Sequence, residues 1–401
     1  MPVGDLIMDA FVLFQLGGDS WISWIVWIIF FMVFFLFYPR IMVSQIMWKL
    51  ERTAKELESM TESSKNFLIK EISKKPNKKV RSAVNRFYEF FMITPISLDP
   101  YGIVKKFDHV ITEERKRFTY FVKQVAPDMH AEKRASLEMG IAAGITLNQI
   151  AKIVRHYVEL IRKTKSMQIA MVLQMQLPLI ERIAKSMYKG SQALSRGQPI
   201  GDSIGPMVVA DLIGSKKVKN VGEEIVMAKT RLYGRNVVLL KAKGPGGRIG
   251  YPGKALREVL KRNKADLIIT VDAAAKLEGE KTGSVAEGVG VAMGGPGVER
   301  SYIEDSIVDT GIPVDSIIVK MSPEEAITPM RKAVKDAIPE VKEALKRSFE
   351  RTKKGNKIII LGVGNTSGIG NSSKELKKVE KWIESYERKL KEKKKRQKSK
   401  K

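Results

Sequence analysis

The sequence predicts an α/β protein with three parts: an N-terminal single transmembrane helix, a helical middle region and a three-layer α/β domain with a mostly parallel sheet. Three observations support this prediction. An uncharged aromatic run lies near the N terminus, apolar residues recur at helical spacing to about residue 195, and short apolar runs then alternate with glycine-rich loops and amphipathic helices. Such alternation is typical of a parallel sheet with helices on both faces. The predicted boundaries are 1–20, 21–40, 41–195, 196–372 and 373–401.

The N-terminal run, residues 21–38, contains no charged side chain and is rich in Trp, Phe and Ile. Eighteen residues of this kind are just long enough for a membrane helix, and tryptophans at the start of the run are typical of the lipid–water interface. Residues 1–20 contain no Lys or Arg, whereas Arg40 follows the run. Positive charge after the span predicts a single-pass cell-membrane protein with a short extracytoplasmic N terminus and its bulk in the cytoplasm. A buried core helix is the alternative interpretation.

The middle region is predicted to be a cytoplasmic stalk followed by further helices. Val43, Met47, Leu50, Ala54 and Leu57 are spaced by four, three, four and three positions, which places them on one face of a helix. Further along, Asp99-Pro100 is typical of a helix start, because Asp caps the free N–H groups and Pro fits the first helical turn.

Charge and composition restrict the chemistry and suggest partners. The chain has 71 Lys and Arg against 44 Asp and Glu, a net charge of +27 that predicts an anionic partner such as RNA, the ribosome or anionic lipid. Cys is absent, which excludes thiolate chemistry and disulfides. The only histidines are His109, His130 and His156. A His-ligated metal or a Ser-His-Asp triad within the α/β domain is therefore excluded, and no metal or cofactor is predicted.

The C-terminal tail, residues 374–401, has fourteen Lys and Arg against five Glu. Its first part has apolar residues at helical spacing, which predicts a basic amphipathic helix, and its last nine residues are almost purely basic, which predicts disorder. The tail could bind RNA, the ribosome or anionic lipid. A solvated tail without a partner is the alternative interpretation.

Four strands are predicted in the α/β domain: Asn236–Leu240, Leu267–Val271, Asp315–Lys320 and Lys357–Leu361. Amphipathic helices are predicted between them, over 253–263, over 299–308 and from the Ser322 cap to about residue 351.

Two aspartates are the candidate catalytic residues. Asp202 lies in the loop 197–206, and Asp272 directly follows the strand that ends at Val271. In open α/β sheets, ligands bind at loops of this kind, beyond the carboxyl ends of the strands. Two close carboxylates share a proton, so that one can act as a general base and the other as a general acid. The alternatives are a helix cap for Asp202 and a polar strand end for Asp272.

Glycine-rich loops are the candidate sites for an anion or a substrate, because their N–H groups can point into such a crevice. The loop Gly362-Val-Gly-Asn365 follows a strand, as a dinucleotide-binding loop does, but Ser367 stands where the third glycine is needed. The loop 244–247 is not followed by Lys-Ser or Lys-Thr, so it is not a P-loop. A nucleotide or small-molecule sensor remains an alternative function. The candidate loop residues are Gly201, Gly205, Gly246, Gly247, Gly294, Gly295, Gly362, Gly364 and Asn365.

Residues 197–212 resemble the first catalytic loop of the hydrogenase-maturation and spore germination proteases, and Leu267–Ala275 resembles the second strand of the germination protease. Further similarity lies in 294–298 and 311–319. The resemblance implies Asp202 and Asp272 as the catalytic pair of an atypical aspartic peptidase that acts on a peptide or protein.

The order of the motifs differs from that of these proteases, in which a strand and a Gly-x-Gly-Asn loop come directly before the first aspartate. Here a helix precedes Asp202, and Gly362-Val-Gly-Asn365 lies at the other end of the domain. A permuted arrangement of strands would restore the neighbourhood. As a whole, the layout resembles an archaeal membrane-anchored family described as domain of unknown function 1512.

These observations predict a membrane-anchored cytoplasmic protein that acts as an atypical aspartic peptidase or another hydrolase. A non-catalytic membrane scaffold that binds RNA, the ribosome or anionic lipid is the first alternative, and the sensor is the second.

Overall fold

The computed structural model describes residues 21–96, 98 and 101–398. The segment 1–20, predicted to be extracytoplasmic, the cap predicted at 99–100 and the last three residues lie outside this part of the chain. The helices are α1 (Trp21–Ile72), α2 (Lys78–Phe87), α3 (Ile103–Val125), α4 (Ala131–Thr164), α5 (Met167–Ser195), α6 (Ile204–Ile213), α7 (Pro252–Arg262), α8 (Val298–Thr310), α9 (Pro323–Ile327), α10 (Lys332–Lys335), α11 (Ile338–Glu350) and α12 (Ser373–Lys398). The strands are β1 (Lys219–Asn220), β2 (Ile225–Leu232), β3 (Arg235–Ala242), β4 (Leu267–Ala275), β5 (Val285–Val289), β6 (Val314–Met321) and β7 (Lys357–Gly362).

The prediction of a transmembrane helix over residues 21–40 is wrong. The run belongs to α1, a single helix of 52 residues, and no helix in the described part of the chain is both long enough and apolar enough to cross a membrane. The uncharged run of eighteen residues rises about 27 Å as a helix, which is less than the roughly 30 Å of a hydrocarbon core. The predicted single-pass topology and cell-membrane localisation are corrected with it.

The chain divides into two compact units. The first combines the described part of residues 1–56 with residues 152–180. Within it, Leu50 and Ala54 of α1, Val158 of α4 and Leu173 of α5 are buried. Glu51 of α1 joins this helix to α4, because its carboxylate lies 2.9 Å from an Arg155 nitrogen and 2.7 Å from one of Arg162. The hydrogen bond from Arg155 lowers the pKa of Glu51.

The second unit combines residues 57–151 and 181–401. Its helical part is held by an apolar cluster that includes Leu68, Tyr88, Phe118 and Leu137. Close approach of helices depends on glycine, because a Cβ atom at Gly144 would overlap the Tyr88 hydroxyl group. These helices pack next to the sheet within the same unit, which brings α3 into contact with α8.

The seven-stranded sheet has the order β1-β2-β3-β7-β4-β6-β5. All four predicted strands are present, as β3, β4, β6 and β7, and they lie parallel in the middle of the sheet. The prediction of a mostly parallel sheet is wrong, because both edges are antiparallel and the sheet is mixed. At one edge, β2 and β3 form a hairpin through Tyr233-Gly234, both with positive φ, the geometry that tight hairpins favour.

Helices cover both faces of the sheet. On one face, α6, α11 and α12 bury residues such as Met207, Leu345 and Ile383 against the strands. On the other face, α7 and α8 contribute Leu256 and Ile303 to a second core. The C-terminal helix α12 continues through the basic run to Lys398, further than the sequence suggests.

Candidate active site

Asp272 lies near the carboxyl end of β4, in the middle of the sheet. Its side chain is only 4% exposed, and its Oδ1 accepts a hydrogen bond of 2.6 Å from the N–H of Ala273. Thr270 and Val271, which directly precede the aspartate in the strand, are both fully buried, so the carboxyl group lies at the border of the core. A carboxyl group in this position loses most of its hydration.

Asp202 lies in a short 3₁₀ turn, Gly201–Ser203, that leads into α6. Its Oδ2 accepts a hydrogen bond of 2.7 Å from the N–H of Asn365, in the loop after β7. The backbone of this loop passes so close that a Cβ atom at Gly364 would overlap the Asp202 carbonyl oxygen, and Gly364 has φ +126°. Only glycine fits both conditions without strain.

The start of α6 is pressed against the ends of β4 and β7. A Cβ atom at Gly205 would overlap the carbonyl oxygens of Val271 and Val363. These two residues are joined by a hydrogen bond of 2.9 Å from the Val363 N–H to the Val271 carbonyl oxygen. Gly205 therefore sets how near the Asp202 turn comes to the strand that carries Asp272.

The two carboxyl groups interact electrostatically. Burial raises the pKa of Asp272 well above its ordinary value, and the negative charge of Asp202 raises it further. Burial also raises the pKa of Asp202, whereas the hydrogen bond from the Asn365 N–H lowers it. Two such groups do not ionise together at low cost, so the pair holds a proton, which Asp272 keeps more strongly than Asp202.

Both aspartates line one cavity of about 260 Å³. Three of the predicted loop residues, Gly294, Gly295 and Gly364, line it as well. Apolar side chains such as Met293 and Val363 form much of the remaining wall, together with the first residues of α8. A concave, largely apolar space with a few converging polar groups is the usual form of a small-molecule or substrate site.

The other predicted loop residues do not line this cavity. Gly201 packs against the Glu325 carbonyl oxygen, and Gly362 packs against Gly205, so these glycines serve close packing. The Gly246 N–H donates to the Glu132 carboxylate at 2.7 Å, and the Gly247 N–H donates to the Ser136 hydroxyl at 3.3 Å. Asn365 contributes its backbone N–H to Asp202, while its side chain accepts from the Ser367 N–H.

Four residues with polar or charged side chains that line the cavity were not predicted: Asp108, Arg115, Tyr251 and Glu299. Asp108 lies 2.7 Å from the Lys254 ammonium group and accepts a hydrogen bond of 3.0 Å from the Tyr302 hydroxyl. Glu299 accepts hydrogen bonds from the N–H groups of Gly253 and Lys254, and burial raises its pKa. These residues follow no catalytic motif, and Asp108 and Arg115 come from α3, far from the aspartates in sequence.

The site contains a pair of carboxylates and no metal cluster. Within residues 21–96, 98 and 101–398, no three His, Asp or Glu side chains converge in a way that could hold a metal ion. The arrangement can transfer protons between a base and an acid on either side of a bound group.

Comparison with protein families identifies the family to which the chain belongs. Residues 24–197 match the family described as protein of unknown function DUF1512, N-terminal domain, and residues 200–370 match its C-terminal domain. The chain belongs to the DUF1512 family. No curated protein and no solved structure matches the chain significantly. In this DUF1512 chain both aspartates fall in the C-terminal match, whereas Asp108 and Arg115 of the same cavity fall in the N-terminal match.

Proposed function

We propose that this DUF1512 protein is a hydrolase that uses Asp202 and Asp272 as an acid–base pair, acting as an atypical aspartic peptidase. One observation carries the proposal. Two carboxyl groups from distant parts of the chain line the same cavity, and the charge of Asp202 raises the proton affinity of Asp272. Paired acids with unequal proton affinity are the arrangement that water activation at an amide requires.

The roles follow from the environments of the two groups. Each carboxylate accepts one backbone N–H bond, but Asp202 also lies just before the start of α6, where the helix dipole favours negative charge. The charge of Asp202 further raises the pKa of Asp272, so Asp202 is the carboxylate that ionises first. It takes a proton from a bound water molecule, whose oxygen attacks the carbonyl carbon. Asp272 holds its proton in the buried position and donates it as the C–N bond breaks, so that the amine leaves neutral. After the C–N bond has broken, Asp202 is protonated and Asp272 is ionised, and transfer of one proton from Asp202 to Asp272 restores the pair.

The strand order supports the same proposal. β7 is the last strand in the chain, but it lies between β3 and β4, and its Gly362-Val-Gly-Asn365 loop contacts Asp202. In the proteases that the sequence resembles, the strand before the first aspartate supplies such a loop. In the folded chain, the Gly362-Val-Gly-Asn365 loop therefore lies beside Asp202, although it does not precede Asp202 in the sequence.

The test is cleavage of internally quenched peptide libraries by the purified full chain. Asp202→Asn and Asp272→Asn should each lower kcat/KM by about 10²-fold or more, because an amide can neither take nor give the proton. Asp305→Asn is the matched control, since Asp305 is exposed on α8. Equal activity of the unchanged chain and the two site variants, or no activity in the unchanged chain, contradicts the proposal and favours a non-catalytic role.

The predicted binding of RNA or the ribosome through the basic tail stays a prediction. Most of the polar face of α12 is exposed, while Leu376 and Ile383 are buried in the core beside the sheet.

A further inference from the structure

A second and larger cavity adjoins the aspartate cavity. It has a volume of about 550 Å³ and shares five lining residues with the first: Ile111, Arg115, Ile249, Tyr251 and Pro296. The two volumes together fall within the range of substrate-binding clefts. We call this second cavity the side cleft.

The side cleft lies between helices and loops of the second unit. Helix α3 forms one wall with residues such as Phe118 and Thr119, and α4 contributes Ala135 and Met139. The loops before β2 and after β3 form the opposite side. Most of its lining residues come from two helices and two loops, and five lining residues also line the aspartate cavity, so a bound chain in the cleft would lie beside the aspartates.

The cleft contains carboxylates inside an apolar wall. Glu114 and Glu138 are partly buried, and burial raises the pKa of both. Glu138 accepts a hydrogen bond of 3.0 Å from the Thr119 hydroxyl, which is a neutral partner. A cation close to these two groups would offset the loss of hydration that raises their proton affinity.

Most basic side chains of the cleft already have partners. Arg248 lies 2.5 Å from Glu132 and 3.3 Å from Glu224. Arg115 donates to the Gly250 carbonyl oxygen at 3.0 Å and stacks over the Tyr251 ring. Lys116 is paired with Glu113. Across both cavities, eight carboxylates face four basic side chains, although the whole chain has a net charge of +27.

We propose that the side cleft binds an extended polypeptide segment and selects a Lys or Arg side chain through Glu114 and Glu138, with the neighbouring peptide bond at the aspartate pair. The proposal rests on the hydrolase function and names its substrate class. The volume of the cleft, the lining that it shares with the aspartate cavity and the local excess of carboxylates all support one occupant of this chemistry.

The test uses eight-residue peptides of Ala and Ser, acetylated and amidated at their ends, with one Arg placed at each position in turn. A second set carries citrulline, the neutral isostere of Arg. The full chain with Asp202→Asn and Asp272→Asn keeps the peptides intact during equilibrium dialysis, and mass spectrometry gives the bound fractions. We expect Arg at one or two adjacent positions to bind about tenfold more tightly than citrulline, a difference of about 1.4 kcal/mol.

The variant Glu114→Gln/Glu138→Gln should reduce this ratio to near one. Glu258→Gln is the control: Glu258 is exposed on α7, is paired with Lys261 and lines neither cavity, so this variant should leave the ratio unchanged. Non-specific attraction cannot mimic the expected result, because the strongly positive chain repels Arg peptides. Equal binding of Arg and citrulline peptides, or an equal loss in the Glu258→Gln control, overturns the proposal.

Failure of the hydrolase function gives a different result. If the chain with intact aspartates selects Arg peptides but does not cleave them, the hydrolase proposal is wrong and the cleft still selects basic segments. If it cleaves peptides without preference for Lys or Arg, the result supports the hydrolase proposal, and the proposed selectivity of the side cleft is wrong.

Discussion

The backbone N–H of Asn365 donates a hydrogen bond of 2.7 Å to the carboxylate of Asp202, although 163 positions separate the two residues in the chain. This bond stabilises the ionised form of one aspartate and not of the other. It also makes the loop after the last strand part of the proposed catalytic site. The expected effect of Gly364→Ala depends on this contact.

Replacing Asp272 should stabilise the fold while abolishing activity. Burial and the charge of Asp202 raise the pKa of Asp272, so the folded chain binds more protons than the unfolded chain above the ordinary pKa of an aspartate. Stability is therefore lost as pH rises from about 4 towards the raised pKa. Asp272→Asn removes this loss, and we expect the free energy of unfolding of the variant at pH 7 to exceed that of the unchanged chain by about 1–2 kcal/mol. Urea unfolding between pH 4 and pH 8 measures it, and a variant less stable than the unchanged chain at pH 7 would contradict it.

Gly364→Ala should lower both the stability and the activity of the protein. The residue has φ +126°, and its Cβ atom would overlap the Asp202 carbonyl oxygen. We expect a loss of about 1–3 kcal/mol of stability together with a displaced Asp202 and lower activity. Gly311→Ala is the control, since Gly311 also has positive φ but no atom within 4 Å of its Cβ position. Urea unfolding and peptide cleavage should separate the two, and similar activity in both variants would argue against a role of the loop in placing Asp202.

Lys241 should make stability depend on pH above neutrality. The side chain is fully buried, and burial lowers its pKa to about 7, while it donates to Ala242, Gly370 and Asn371 oxygens. Between this value and the ordinary lysine value, the unfolded chain binds more protons, so stability rises with pH. The free energy of unfolding of the unchanged chain, taken relative to that of Lys241→Met, should increase by up to about 1.4 kcal/mol per pH unit from pH 7 to 10.

The check on Lys241 is urea unfolding of both chains at each pH. The exposed Lys264→Met variant provides the control and should show a difference that stays flat. If the difference in the free energy of unfolding between the unchanged chain and Lys241→Met also does not change with pH, the buried amine keeps its proton in the folded chain.

Blocking the side cleft should block cleavage. Because the chain contains no Cys, a single cysteine can be placed at will. Lys123→Cys lies in the cleft lining, and Lys264→Cys lies before β4, at the strand end opposite Asp272. Attachment of a maleimide-linked polymer at position 123 should reduce kcat/KM by about tenfold or more, whereas the same label at 264 should not. Equal rates in the two labelled chains would exclude the cleft as the route to the aspartates.

Local patterns in the sequence predicted much of the sheet. The runs ending at Leu240, Val271, Lys320 and Leu361 are strands, because continuous apolar stretches between glycine-rich loops must be buried on both faces. The edge strands were missed. The strand β2 has exposed and buried residues in mixed order, and β5 is half exposed, so neither has a strong apolar signal.

The site was predicted in part. Asp202 and Asp272 were singled out from their loops, and they do line one cavity, while their catalytic role stays a prediction. The contribution of α3 could not be foreseen, because Asp108 and Arg115 reach the cavity through long-range packing that no local spacing encodes. The membrane prediction failed for a different reason: the uncharged run rises about 27 Å as a helix, which is less than the thickness of a hydrocarbon core, and no described helix is long and apolar enough to cross a membrane.

The central position of β7 has a consequence for biosynthesis. A ribosome makes β3 and β4 long before β7, so both strands wait with unpaired edges until almost the whole domain has been translated. The Asp202 turn likewise has no Asn365 N–H to meet until that moment. A nascent or truncated chain that stops before Lys357 therefore lacks a finished site. Completion of the polypeptide itself is the step that assembles it.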